Sequence, residues 1–173
     1  MQNYPHYGSK QKWVHWLTFT LVLLTFLVVI FKGGLSNYLG GMPVIYLLHK
    51  SLGALIFILT LWRFVLIKRE GVPDVLSKDH KLQRVLSKST QGFIYILLII
   101  VPLSGYLMSR HPLNFWGIIS IPAVDLPNQA YQIFHSVHQA SSYLLGILLI
   151  IHIAGALYHY FVIKDKVLQS MLN

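Results

Sequence analysis

Four apolar runs dominate the hydropathy pattern of the chain, at residues 13–31, 43–67, 92–108 and 133–163, and polar, Gly- or Pro-bearing segments separate them. A helix crossing a hydrocarbon core of about 30 Å needs roughly 20 mostly apolar residues. The first, second and fourth runs have that length, and the third reaches it by extending back through Ser89 and Thr90. The pattern therefore predicts an all-α membrane protein, a four-transmembrane-helix bundle in one domain (1–173), with spans at about 10–32, 43–68, 89–109 and 131–163. Residues 33–42 (GGLSNYLGGM) read as a turn. Residues 71–88 read as a polar loop with an amphipathic turn around Asp79 to Leu86. Pro112, Pro122 and Pro127 forbid a continuous helix, so 110–130 is expected to fold over the bundle as an outer cap loop. Pro102 is expected to kink the third span. Lys10 and Lys12 before the first run imitate a signal peptide. No small-residue cleavage pattern follows Phe31, so the run is expected to stay as a helix.

Composition agrees with this reading. The chain is 55% hydrophobic and 11% charged, against about 25% charged in ordinary soluble domains. Of its 14 Lys and Arg, eleven fall in the N-terminal tail, the loop between spans two and three, and the C-terminal segment. Only Lys32, Lys50 and Arg110 fall on the other side. That asymmetry places both termini in the cytoplasm. The formal charge of +9 belongs to residues flanking apolar segments, which points to the lipid bilayer and not to nucleic acid. With no cysteine, disulfides, Cys-held zinc, iron–sulfur clusters and covalently attached c-type haem are excluded.

The candidate chemistry lies in the nine histidines. Ionisable side chains inside spans are costly and normally face the bundle interior. His15, His49, His135, His138, His152 and His159 lie in or near spans, whereas His6, His80 and His111 lie in tails or loops. His138 and His152 are fourteen residues apart, only 40° short of four full turns, so they share one face with about 21 Å between them along the axis. At matching depths, His49 near the outer start of the second span faces His138, and His15 near the inner start of the first faces His152. Facing imidazoles are what a low-spin haem iron accepts as axial ligands in a bundle core. Without cysteine the group would be haem b. Depth alone leaves His159 in contention with His152, because it shares the same face and lies at the shallow level of His15. His135 competes with His138. Met42 and Met108, at outer helix ends, are alternative ligands or packing residues. Arg63, fourteen residues after His49, falls on the inward face and either pairs with a haem propionate or snorkels to the headgroups with Lys68. Gly53 and Gly105 either admit a flat macrocycle or mark close helix contacts.

From about Lys10 onward the chain resembles the bacterial cytochrome b561 family. The motifs carrying the resemblance are WVHWLTF, LLHKSLGALIFILTLWRF, IYILLIIVPLSGYLM and VHQASSYLLGILLIIHIAGALYHYFVIKD. It implies four spanning helices in a bacterial inner membrane and two b haems. By motif the ligands map onto His15 with His152 and His49 with His138, which favours His152 over His159. The chain departs from relatives in lacking a histidine between Ser87 and Gln91. Compact single-chain members look like superoxide oxidases. That likeness implies that superoxide gives an electron to haem at the outer side, that ubiquinone is reduced, and that dioxygen is released. Lys50, Arg110 and Lys32, opposed by Asp125, would guide a small anion. Trp13, Trp16, Tyr158 and His159 inside, or Trp116 outside, are candidate quinone contacts. The competing functions are a cytochrome b subunit linking a dehydrogenase or hydrogenase to the quinone pool, and a haem-free His-lined metal or proton channel. Homo-oligomerisation is left open.

Overall fold

Each apolar run forms one long helix in the computed structural model, which describes residues 5–76 and 81–172. These helices are α1 (Ser9–Ile30), α3 (Met42–Glu70), α4 (Lys81–Leu107) and α5 (Asn128–Tyr158), the last prolonged by a π-helical turn, His159–Ile163. All four are long and apolar enough to cross a membrane. Few of their side chains are buried within the protein, so most of the apolar surface faces outward. That is the inverse of a soluble bundle and suits lipid as the solvent. Hydroxyl side chains on the spans bond back to carbonyls one turn earlier, as with Thr18 to Val14, Thr25 to Leu21, Thr60 to Ile56 and Ser141 to Val137. The hydroxyls thereby enter the bilayer with their donors satisfied.

Three departures from the sequence expectations have local causes. Residues 33–42 are not simply a turn, because Lys32–Leu39 forms a short helix, α2. Phe31 leaves helical geometry between α1 and α2, and the reversal is confined to Gly40 and Gly41, with φ of 90° and 93°. Glycine adopts such values without steric cost. Pro43 then occupies the first turn of α3, where its missing N–H is not needed. Second, residues 81–86 are not a separate amphipathic turn but the start of α4, which begins eight residues before position 89. No breaker intervenes before Gly92, and Arg84 secures the preceding segment through Asp74 (2.8 Å) and the Leu76 carbonyl. Asp79, Lys78 and His80 lie outside the described residues. Third, the outer cap contains an antiparallel hairpin of β1 (Leu113–Phe115) and β2 (Ile119–Ile121). Its reversal is made by Trp116 and Gly117, both with positive φ.

The helices pack in series, α1 on α3, α3 on α4 and α4 on α5. An apolar layer of Leu21, Val22, Leu52, Ile56, Leu97, Leu98 and Leu145 forms the core. Leu145 is midway along the sequence between His138 and His152, so this layer separates one end of the bundle from the other. Below, the end bearing the chain termini is called the inner end. α5 lies along α4 and meets α1 and α3 chiefly through side chains, including Phe26 below Gly146 and two pairs of histidines.

Candidate functional site

At the inner end, α1 supplies His15 and α5 supplies His152, and their ring centroids are 6.3 Å apart with planes at 62°. At the outer end, α3 supplies His49 and α5 supplies His138, with centroids 6.1 Å apart and planes at 90°. Two imidazoles bound to one ion from opposite sides, with metal–nitrogen bonds of about 2.0–2.1 Å and ring centres about 1.1 Å behind the nitrogens, have centroids about 6.3 Å apart. Both pairs match that separation. Among the described residues no group of three or more metal-ligating side chains gathers, so neither pair can complete a tetrahedral protein-only site. A planar macrocycle that brings its own four equatorial nitrogens needs only two axial ligands, and the donor set of each pair fits it.

The outer pair is held by its neighbours. His138 Nδ1 bonds the Val101 carbonyl at 2.8 Å, which aims Nε2 away from α4 and fixes the ring. Gly105 makes this possible. A Cβ there would meet His138 Cε1 at 2.9 Å and Nδ1 at 3.0 Å, so the glycine accommodates the imidazole. Gly53, one turn after His49, has open space where its Cβ would project. Among the described residues, His49 Nδ1 is buried without a hydrogen-bond partner.

At the inner pair, Arg63 Nη1 is 2.8 Å from His15 Nδ1, and the guanidinium lies over the Tyr95 ring at 5.1 Å. Arg63 is thus directed into the bundle and not toward the headgroups. Because a guanidinium only donates, this contact makes His15 Nδ1 the acceptor. Trp16 and His15 meet in a T-shaped arrangement, with centroids 5.2 Å apart and planes at 83°.

The remaining sequence candidates are dispersed. His159 Nδ1 bonds Asp165 Oδ2 at 2.5 Å, and the π-helical turn and left-handed Lys164 shape that return of the chain. His135 forms neither histidine pair. Lys50 Nζ donates to Ser109 Oγ at 2.7 Å and to the His111 carbonyl at 3.4 Å. Arg110 donates to Asn128 Oδ1 at 2.7 Å and covers the Tyr131 ring. Lys50 and Arg110 therefore both brace the cap, whereas Lys32 opens α2 on a different element. Ser51, fully buried beside Lys50, receives the Trp116 N–H at 3.0 Å and donates to the Asn114 carbonyl at 3.2 Å, pinning the hairpin to α3. Sequence reasoning missed Tyr95, Ser51 and Asp165. Only Asp165 left a signal, as one of five acidic residues standing close after a histidine.

Comparison with known proteins finds relatives along almost the whole chain. The family description prokaryotic cytochrome b561 matches residues 6–173. Cytochrome b561 homolog 2 of Escherichia coli K12 is 29% identical, over 96% of this chain and 91% of the relative. Cytochrome b561 homolog 1 of the same organism is 21% identical, over 96% of each. A probable superoxide oxidase, CybB, of Yersinia pestis is 25% identical, over 96% of this chain and 95% of the relative.

Proposed function

From the premise that the chain belongs to the prokaryotic cytochrome b561 family, a family of b-type membrane cytochromes that transfer electrons, we propose that it carries two b haems and oxidises superoxide at the expense of ubiquinone. Two superoxide anions, one quinone and two protons would yield two dioxygen molecules and one quinol. In this reading His49 with His138 and His15 with His152 would hold the two haems, and the bacterial inner membrane is the location. The observation that carries it is the spacing of 6.1 and 6.3 Å between the paired imidazoles. The relative named a probable superoxide oxidase supports the substrate.

Bound haem would supply one-electron redox chemistry at each end of the bundle. The protein's own residues do the rest. Lys50 and Arg110 give the outer end a positive field that concentrates a small anion, and the hairpin pinned by Ser51 holds them in register with the outer pair. The apolar layer around Leu145 keeps water and ions from following the electrons between the ends. An imidazole ligating through Nε2 carries its proton on Nδ1, so His15 as a ligand no longer accepts from Arg63. The guanidinium is then a cationic donor beside the inner pair, suited to a carboxylate such as a propionate.

The test is the reduced absorption spectrum and haem content of the purified protein, followed by stopped-flow mixing with superoxide and assay of ubiquinone consumption. Two haems per chain and haem reduction by superoxide are expected. No Soret band would return the chain to the channel reading. Haem that superoxide does not reduce would leave the cytochrome as a subunit that takes electrons from a partner dehydrogenase.

A further inference from the structure

The hairpin of the outer cap is apolar on the surface it shows. Residues 112–124 contain no Lys, Arg, His, Asp or Glu, and Asn114 and Ser120 are their only amide or hydroxyl side chains. β1 is the strand that packs on α3, and all three residues of β2 are exposed. Ile118, in the reversal, is 80% exposed and Ile119 57%. Contiguous exposed apolar surface of this kind marks an interaction site.

The depth of the hairpin follows from Ser51. The Trp116 N–H donates to Ser51 Oγ, and that hydroxyl donates to the Asn114 carbonyl, so the reversal lies at the level of Ser51 on α3. Lys68 and Arg69, in the last turn of α3, mark the inner boundary of the hydrocarbon. Counting outward from Ile67, a core of about 30 Å takes roughly 20 residues at about 1.5 Å each, which brings the outer boundary to Leu48. Ser51 is inside it. Tilting α3 would lengthen the crossing and put Ser51 deeper still. The chain therefore runs outward along α4 to Leu107, dips back at the hairpin, and meets the end of α4 again where Tyr106 Oη donates to the Pro122 carbonyl at 2.6 Å. The dip closes its own turn, with the Ile118 N–H on the Phe115 carbonyl at 2.9 Å. Its Trp116 is of the residue type enriched where hydrocarbon meets headgroups.

We propose that residues 116–119 are a lipid-docking element, seated against the acyl chains of the leaflet at the outer end of the bundle. The occupant is phospholipid and not a second copy of the chain. A second copy would have to pair along β2, which is three residues long and is followed at once by Pro122, and short edges stopped by proline discourage such pairing. The neighbouring cations are engaged within the cap, Lys50 on Ser109 and the His111 carbonyl, Arg110 on Asn128 and the Tyr131 ring, so the attachment is apolar. Ser51 is two residues from His49, and through it the lipid seat sets the height of the cap over the outer histidine pair.

Because the chain has no cysteine, Ile118→Cys and Asp125→Cys each provide a single thiol for a nitrobenzoxadiazole fluorophore. The full chain is placed in nanodiscs of palmitoyl-oleoyl phosphatidylcholine at one chain per disc, so that no second copy is within reach. Phosphatidylcholine carrying a doxyl group high on its acyl chain should quench the Ile118→Cys probe on the order of twofold more than the Asp125→Cys probe, as seating about 5–10 Å into the headgroup and acyl boundary entails. Aqueous iodide should show the opposite preference. Equal iodide quenching of the two probes overturns the proposal, because the hairpin then stands in water. Shielding of the Ile118→Cys probe from both quenchers overturns it as well, because protein then covers the hairpin. Should Ile118→Cys fail to fold, Ile119→Cys carries the same test with the same outcomes.

Discussion

His138 rests against Gly105, close enough that a single added carbon on the glycine would lie 2.9 Å from its Cε1. The outer imidazole is thus positioned by the absence of a side chain on the neighbouring helix as much as by its bond to Val101. Gly105→Ala should push the ring off its axis and lower the haem content from two toward one per chain, with the inner group retained. Pyridine haemochrome titration against protein concentration reads this directly.

His152 and His159 share a face of α5, yet only His152 stands against His15, while His159 is committed to Asp165. His152→Ala should therefore halve the haem content. His159→Ala should leave both haems in place, and if it removes one, the inner ligand has been misassigned.

Arg63 places a positive charge beside the inner pair, and a cation there favours the reduced state of a nearby iron. Arg63→Leu should lower the inner midpoint potential on the order of 50 mV, given the size of a unit-charge interaction at an effective dielectric of about 20. Arg63→Lys should recover part of the shift. Potentiometric titration followed in the haem bands measures both, and the outer potential serves as the internal control.

Ser51 joins α3 to the hairpin through two hydrogen bonds. Ser51→Ala leaves the Trp116 N–H and the Asn114 carbonyl without that partner, a loss of about 1–3 kcal/mol if both stay buried. The cap should loosen before the bundle does. Faster chymotryptic cleavage at Phe115 or Trp116, with unchanged haem content, is the expected signature.

The depths of the histidines could be read from the sequence because helix rise is fixed and the apolar runs bound each span. Their partners in space follow from that arithmetic, except that it left His135 in competition with His138 and could not choose between His152 and His159. Those two differ by two turns, and what separates them is the π-helical return that turns His159 toward Asp165, a tertiary event with no hydropathy signature. The inward face of Arg63 was likewise legible from its fourteen-residue offset from His49. Tyr95, which lies under its guanidinium, was not, since a tyrosine in an apolar helix gives no sign of its neighbour. Hydropathy also missed the first turns of α4, whose residues are helical but polar, and α2, where paired glycines signal a reversal that occurs only at the later pair.

Both histidine pairs draw one member from α5, the last of the four long helices. While the chain is being made, α1 and α3 enter the bilayer with their imidazoles unmatched, and neither end can grip a porphyrin from both sides until α5 has left the ribosome. On the proposed ligation, pigment loading is then a late event in biogenesis, and a chain truncated ahead of α5 should accumulate colourless.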